Sequence, residues 1–218
     1  MFPPLYAVLD EDLLNMPVSK CARELISAGV ELIQYRAKHL SSRKYFEVCS
    51  NLAETLASRN TRLIINDRPD IAAMTGAGGV HVGQEDLPPD DARRICGSGQ
   101  WVGVSTHNLE QVRAADRTSA DYIAVGPIFS TSTKEKPDAV VGTSFIREAR
   151  KLTQKPMVAI GGITRERAAE VYGAGADSIA VIRDLLETRD LAERAREFLA
   201  IAKRSQENSH RSSRIEAS

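Results

Sequence analysis

Eight short apolar runs alternate along the chain with segments whose apolar residues recur at helical spacing. The runs cover 5–9, 32–35, 63–65, 79–82, 101–104, 122–125, 157–160 and 178–182, and read as strands buried on both faces. Between them, helical patterns occupy 18–28, 42–58, 69–75, a segment opened by Pro88 and Pro89, 108–115, 145–152 and 165–174, with a last helix over about 190–202. Eight strand–helix units joined by short connections predict an α/β fold, a single (β/α)8 TIM barrel over 1–204. An open doubly wound sheet would call for a GxGxxG turn after the first strand, and Ala7-Val8-Leu9-Asp10 leads into none. From Ser205 the sequence SQENSHRSSRIEAS loses both periodicity and apolar residues, so a disordered tail is expected over 205–218.

With 29 basic and 29 acidic side chains the formal charge is +0, which argues against nucleic acid or an anionic membrane as a partner. Any phosphate-binding charge must therefore be local. No segment is apolar enough to span a bilayer and the start has no basic-then-apolar leader, which predicts a cytoplasmic protein. Cys21, Cys49 and Cys96 show no CxxC spacing and read as buried free thiols. His39, His81, His107 and His210 show no metal-ligand spacing.

The carboxyl ends of the strands carry the chemistry, as expected of a parallel barrel. After strand two, Gln34, Arg36 and Lys38 alternate along extended chain and point to one side, where two cations and an amide suit a diphosphate. Asp67 follows strand three beside Asn66, and Asp86 follows strand four. Two carboxylates at one mouth suit a hard cation such as Mg²⁺, which completes its shell with water and substrate phosphate. Asp70, by contrast, sits in a first helical turn, where a carboxylate simply favours the helix dipole.

Ser105, Thr106 and His107 follow strand five, where a hydroxyl can hydrogen-bond a heterocycle. The strand-six loop, polar from Ser130 to Val141, offers Thr131, Ser132, Thr133 and Lys134, hydroxyls and a cation suited to phosphate. Gly161-Gly162 after strand seven lets backbone approach an anion, and strand eight ends at Ile182-Arg183. Barrel phosphate sites frequently lie at these last two loops. Two phosphate sites in one mouth imply two phosphorylated substrates.

Taken together, QYRAK at 34–38, INDRPDIA with GVHVGQEDLP at 65–88, GVSTH at 103–107, GPIFSTSTK at 126–134 and AIGGI with AGADSIAVI at 159–182 resemble the thiamine-phosphate synthase (thiamine-phosphate pyrophosphorylase) family. The resemblance implies transfer of hydroxymethylpyrimidine from its diphosphate to the nitrogen of a thiazole phosphate, giving thiamine phosphate and pyrophosphate, with loss of carbon dioxide where the thiazole arrives carboxylated. It implies Mg²⁺ on Asp67 and Asp86, with Gln34, Arg36, Lys38, Asn66 and Lys134 at the diphosphate and Ser105 at the pyrimidine. Thr131, Thr133, Gly162 and the Ile182-Arg183 backbone would take the thiazole phosphate. No protein nucleophile is needed, because metal and cations stabilise the departing pyrophosphate.

Two positions depart from the family pattern. Tyr35 stands where leucine is usual and should face away from Gln34 and Arg36; Arg183 stands where serine is usual and is expected to add a phosphate contact. Competing readings are a thiazole tautomerase of the same barrel type and a noncatalytic regulator that binds thiazole or thiamine phosphate. The retained diphosphate set argues against both.

Overall fold

The computed structural model describes residues 1–57, 59–131 and 138–216. Its eight strands, β1 (Leu5–Asp10), β2 (Leu32–Arg36), β3 (Arg62–Asn66), β4 (Gly79–Val82), β5 (Trp101–Thr106), β6 (Tyr122–Val125), β7 (Met157–Ile160) and β8 (Ser178–Val181), pair in sequence order and close into a parallel barrel. The helices on its outside are α1 (Val18–Ser27), α2 (Ser42–Leu56), α3 (Pro69–Thr75), α4 (Pro89–Cys96), α5 (Leu109–Asp116), α6 (Gly142–Arg150), α7 (Arg165–Gly173), α8 (Arg183–Leu186) and α9 (Leu191–Glu216). The expected (β/α)8 barrel is therefore present.

Strand alternation divides the apolar residues into two cores. One face of each strand turns outward: Leu5, Ala7 and Leu9 of β1 with Val80 and Val82 of β4 pack against the helices. The other face fills the lumen with Tyr6, Val8, Leu32, Ile64, Tyr122, Ala124, Val158 and Ala180. Period-two geometry then sends Gln34 and Arg36 inward with Leu32, and His81 inward between its two outward valines. Gly103 on β5 admits the Tyr122 ring, since a Cβ there would lie 2.0 Å from Tyr122 Cζ.

Several strands run further toward the mouth than their apolar runs suggest. Arg36, Asn66 and Thr106 are still in the ladder, which tolerates polar side chains where the barrel opens to water. Strand β8 instead stops at Val181, and Arg183 opens the short helix α8, whose Leu185 and Leu186 are buried. The sequence signal placed Arg183 at a strand end; a four-residue helix is too short to show periodicity.

Asn108 caps α5, its side chain accepting from the Gln111 amide at 2.9 Å. The disorder expected from Ser205 differs from the described backbone, which stays helical to Glu216. Lys, Arg, Gln and Glu over 203–207 favour helix without needing a core contact, and Ala202 is the last buried position described.

All three cysteines are free, as expected, with Cys21 and Cys49 buried and Cys96 half-buried. Burial pushes the Cys21 thiol up to about 11 and that of Cys49 to about 12, so neither is a ready thiolate. Among the described residues no helix is long and apolar enough to cross a membrane.

Candidate active site

A cavity of about 310 Å³ opens at the carboxyl ends of the strands. Gln34, Arg36, Asn66 and Ser105 line it from β2, β3 and β5. Thr131, Gly162, Ile182 and Arg183 line it from the loops that follow β6, β7 and β8. The described residues expected at the diphosphate, pyrimidine and second phosphate thus share one mouth, apart from those at its rim. Thr133 and Lys134 lie outside the described residues.

Lys38, Asp67 and Asp86 are not among the lining residues but follow Arg36, Asn66 and the end of β4 in sequence, which puts them at the rim. The Lys38 ammonium donates to Asp67 Oδ2. Asp67 adopts φ 60°, a left-handed conformation that aspartate tolerates better than most residues, while its amide donates to His81 O at 2.8 Å. Asp86 accepts from the Gly83 amide at 2.8 Å. Burial, followed by a hydrogen bond with the neighbouring Asp67 carboxyl, holds the Asp86 pKa above the usual carboxylate range. Two carboxylates forced together in this way form a set that a divalent cation relieves.

No group of three or more His, Cys, Asp or Glu side chains capable of holding a metal occurs among the described residues. A two-carboxylate site suits a cation that takes its remaining ligands from water and phosphate, which fits Mg²⁺ better than zinc.

Beneath the mouth, Gln34 and Ser105 are joined by a chain of polar side chains, Tyr6, Tyr122 and His81, to which the sequence patterns gave no role at the site. Gln34 Nε2 donates to Tyr6 Oη at 2.7 Å, and the Tyr6 and Tyr122 hydroxyls are 2.9 Å apart. His81 Nδ1 lies 3.1 Å from Tyr122 Oη, and its Nε2 lies 2.9 Å from Ser105 Oγ. Burial raises the Tyr6 and Tyr122 pKa values far above the ordinary phenol, so both stay neutral.

Because the Gln34 amide nitrogen can only donate, one consistent orientation runs Tyr6 to Tyr122 to His81 Nδ1, then from His81 Nε2–H to Ser105 Oγ. That orientation leaves the Ser105 hydroxyl hydrogen for a ligand. The signal for His81 was present in its position between Val80 and Val82, which turns it into the lumen.

Asp10 is a second residue outside the expected set. Only 2% exposed, it pairs with Arg36 and caps the 3-10 turn Glu11–Leu13. The register sets Asp10 directly opposite Arg36 on the neighbouring strand, which explains the pair. Tyr35 faces outward as expected and donates its hydroxyl to Glu11 Oε2 at 2.9 Å. His107 contacts the Gly126 carbonyl through Nδ1 at 2.6 Å, on a different partner from its neighbour Ser105, so the two form no nucleophile–base pair.

A family model described as thiamine monophosphate synthase matches residues 5–185. The chain belongs to the thiamine monophosphate synthase family. With the family comes thiamine-phosphate synthase activity, a group transfer.

The thiamine-phosphate synthase of Koribacter versatilis (strain Ellin345) is 49% identical over 204 residues, covering 91% of this chain and 95% of the relative. That of Chloroflexus aurantiacus (strain ATCC 29366 / DSM 635 / J-10-fl) is 41% identical, covering 93% and 94%. Among solved structures, thiamine phosphate pyrophosphorylase from Pyrococcus furiosus superposes with a TM-score of 0.84 at 30% identity, covering 93% of this chain and 96% of that one. All eight strands of this family member, and the cavity they surround, fall within the matched span.

Proposed function

We propose that the protein transfers a hydroxymethylpyrimidine group from its diphosphate to the ring nitrogen of a thiazole phosphate, carboxylated or not, with Mg²⁺ bound by Asp67 and Asp86. The observation that carries this reading is the close Asp67–Asp86 carboxyl pair, with Lys38 on one of its members, at the rim of a cavity that Arg36 also enters.

In the reaction the bond from the pyrimidine methylene to the diphosphate oxygen breaks, and its electron pair leaves with pyrophosphate. The thiazole nitrogen lone pair then forms the new C–N bond, and a carboxylated thiazole also loses its carboxyl group as carbon dioxide. Bound Mg²⁺ supplies charge neutralisation on the leaving group. Arg36, Lys38 and Lys134 supply the rest, and Gln34 and Asn66 orient the diphosphate end of the donor.

Asp10 holds the Arg36 guanidinium in place, so its donors need little reordering when substrate binds. Ser105, fed by the chain from Gln34 through His81, presents its hydroxyl to the pyrimidine. Gly162, Thr131, Thr133 and the Ile182-Arg183 segment take the acceptor phosphate. No side chain acts as a nucleophile.

The test is purified protein with both substrates and Mg²⁺, followed for thiamine phosphate and pyrophosphate. Product requiring both substrates, with kcat lowered on the order of 10²–10³-fold in Asp67→Ala, is expected. Full turnover in that variant would remove the metal-site reading. Ring isomerisation without pyrophosphate would point to a tautomerase, and binding without turnover to a regulator.

A further inference from the structure

The cations at this mouth differ in how they are neutralised. Arg36 is paired with Asp10, Lys38 with Asp67, and Arg183 with Glu187, whose Oε1 accepts from Arg183 Nη1 at 2.5 Å. Arg167, on the first turns of α7, also lines the cavity, and no carboxylate pairs with it among the described residues. It is nevertheless held. Its guanidinium carbon lies 4.7 Å from the centroid of the Phe129 ring, and Nη1 donates to the Gly162 carbonyl at 3.1 Å.

Those contacts join Arg167 to both loops that form the acceptor side of the mouth. Gly162 has φ 61°, and a Cβ there would lie 2.3 Å from the Ser130 carbonyl oxygen and 2.9 Å from Phe129 Cβ, so the loops after β6 and β7 are in close contact. A stacked guanidinium with one N–H committed keeps further N–H donors in a fixed plane, a geometry that matches phosphate oxygens.

A second observation points the same way. Arg183 Nε is buried without a hydrogen-bond acceptor among the described residues, although the residue lines the cavity. Arg165 Nε shares that condition, but it lies 3.7 Å from the Asp184 carboxylate and outside the cavity lining. Asp184, the carboxylate next to Arg183 in sequence, is engaged elsewhere, by the Arg165 amide and by Arg194.

We propose that Arg167, acting with Arg183, is a binding residue for the phosphate of the acceptor, and that the two guanidiniums set the preference for a phosphorylated acceptor over its unphosphorylated alcohol. The identity of the acceptor rests on the function proposed above; the phosphate-binding role does not.

The test therefore has two arms. In the first, calorimetry measures binding of inorganic phosphate and of thiazole phosphate, without donor or Mg²⁺, to the wild-type chain and to Arg167→Ala, Arg167→Lys and Arg183→Ser. Arg167→Ala is expected to weaken binding of thiazole phosphate by about ten- to a hundredfold, with Arg167→Lys recovering part of the loss and Arg183→Ser losing several-fold. In the second, steady-state kinetics should show KM for thiazole phosphate rising by a similar factor in Arg167→Ala. KM for the diphosphate donor and kcat should stay within about twofold, as for loss of uniform binding. KM for the unphosphorylated alcohol should not move.

Binding within twofold of wild type in Arg167→Ala would overturn the proposal even with turnover intact, as would a wild-type chain that binds neither phosphate compound. Weakened phosphate binding in a chain that forms no thiamine phosphate would leave the proposal standing and remove the acceptor reading instead. An unchanged or improved KM for thiazole phosphate in Arg183→Ser would remove Arg183 from the pair.

Discussion

At Gly103 a methyl group would have to share space with the Tyr122 ring, whose hydroxyl links Tyr6 to His81. Gly103→Ala is therefore expected to cost about 1–3 kcal/mol, as overpacking of a filled interior does. A chain of this length would lose roughly 2–4 °C in Tm per kcal/mol, readable in a thermal melt. KM for the diphosphate donor should rise with it, because a displaced Tyr122 moves His81 and so Ser105. An unchanged melt would mean that the lumen has slack the packing does not suggest.

Legibility at this scale followed the direction of each side chain. Asp67 and Asp86 could be read from their place after apolar runs, and Gln34 and Arg36 from period two. Asp10, Tyr6, His81 and Tyr122 could not be paired, because their partners sit on other strands and the partner choice depends on register around the barrel.

Among the elements, α7 begins without a cap of its own, since the Thr164 side chain makes no capping hydrogen bond. Asp184 of α8 replaces it, accepting from the Arg165 amide at 2.8 Å, and Arg194 of α9 donates to both the Asp184 carboxylate and its backbone carbonyl. One carboxylate thus fastens the starts of α7 and α8 to α9. Asp184→Ala should cost about 1–2 kcal/mol in denaturant unfolding, the loss of a cap and of one of the two Arg194 ion pairs, Glu197 keeping the other at 3.1 Å, and raise KM for the acceptor. Asp184→Asn keeps an acceptor for the amide and should lose less.

The helices α3 and α5 and the strands β4, β6 and β7 were legible because turn residues or caps bound a clear period. The short α8 had no period to read, and α9 continues past Ala202, the last buried position described, into a sequence without apolar periodicity.

For the molecule as a whole, the eightfold alternation was enough to specify the barrel, since each unit buries one strand face outward and one inward. Strands β1 and β8 close the barrel, and α9 covers that junction, packing on α1, α7 and β1 beyond the family-matched span and burying Phe198 completely. Phe198→Ala should cost about 3–5 kcal/mol, a cavity-sized loss that thermal or denaturant unfolding would reveal.

The polar chain from Gln34 to Ser105 has a mechanical consequence at this same scale. It runs wall to wall through residues of β2, β1, β6, β4 and β5, so it braces the lumen across its width as well as around its circumference. A barrel squeezed along one diameter must bulge along another, and a bonded strut opposes both. On the function proposed above, the floor thus holds the donor and acceptor sides of the mouth at one separation, and with it the distance of nitrogen attack.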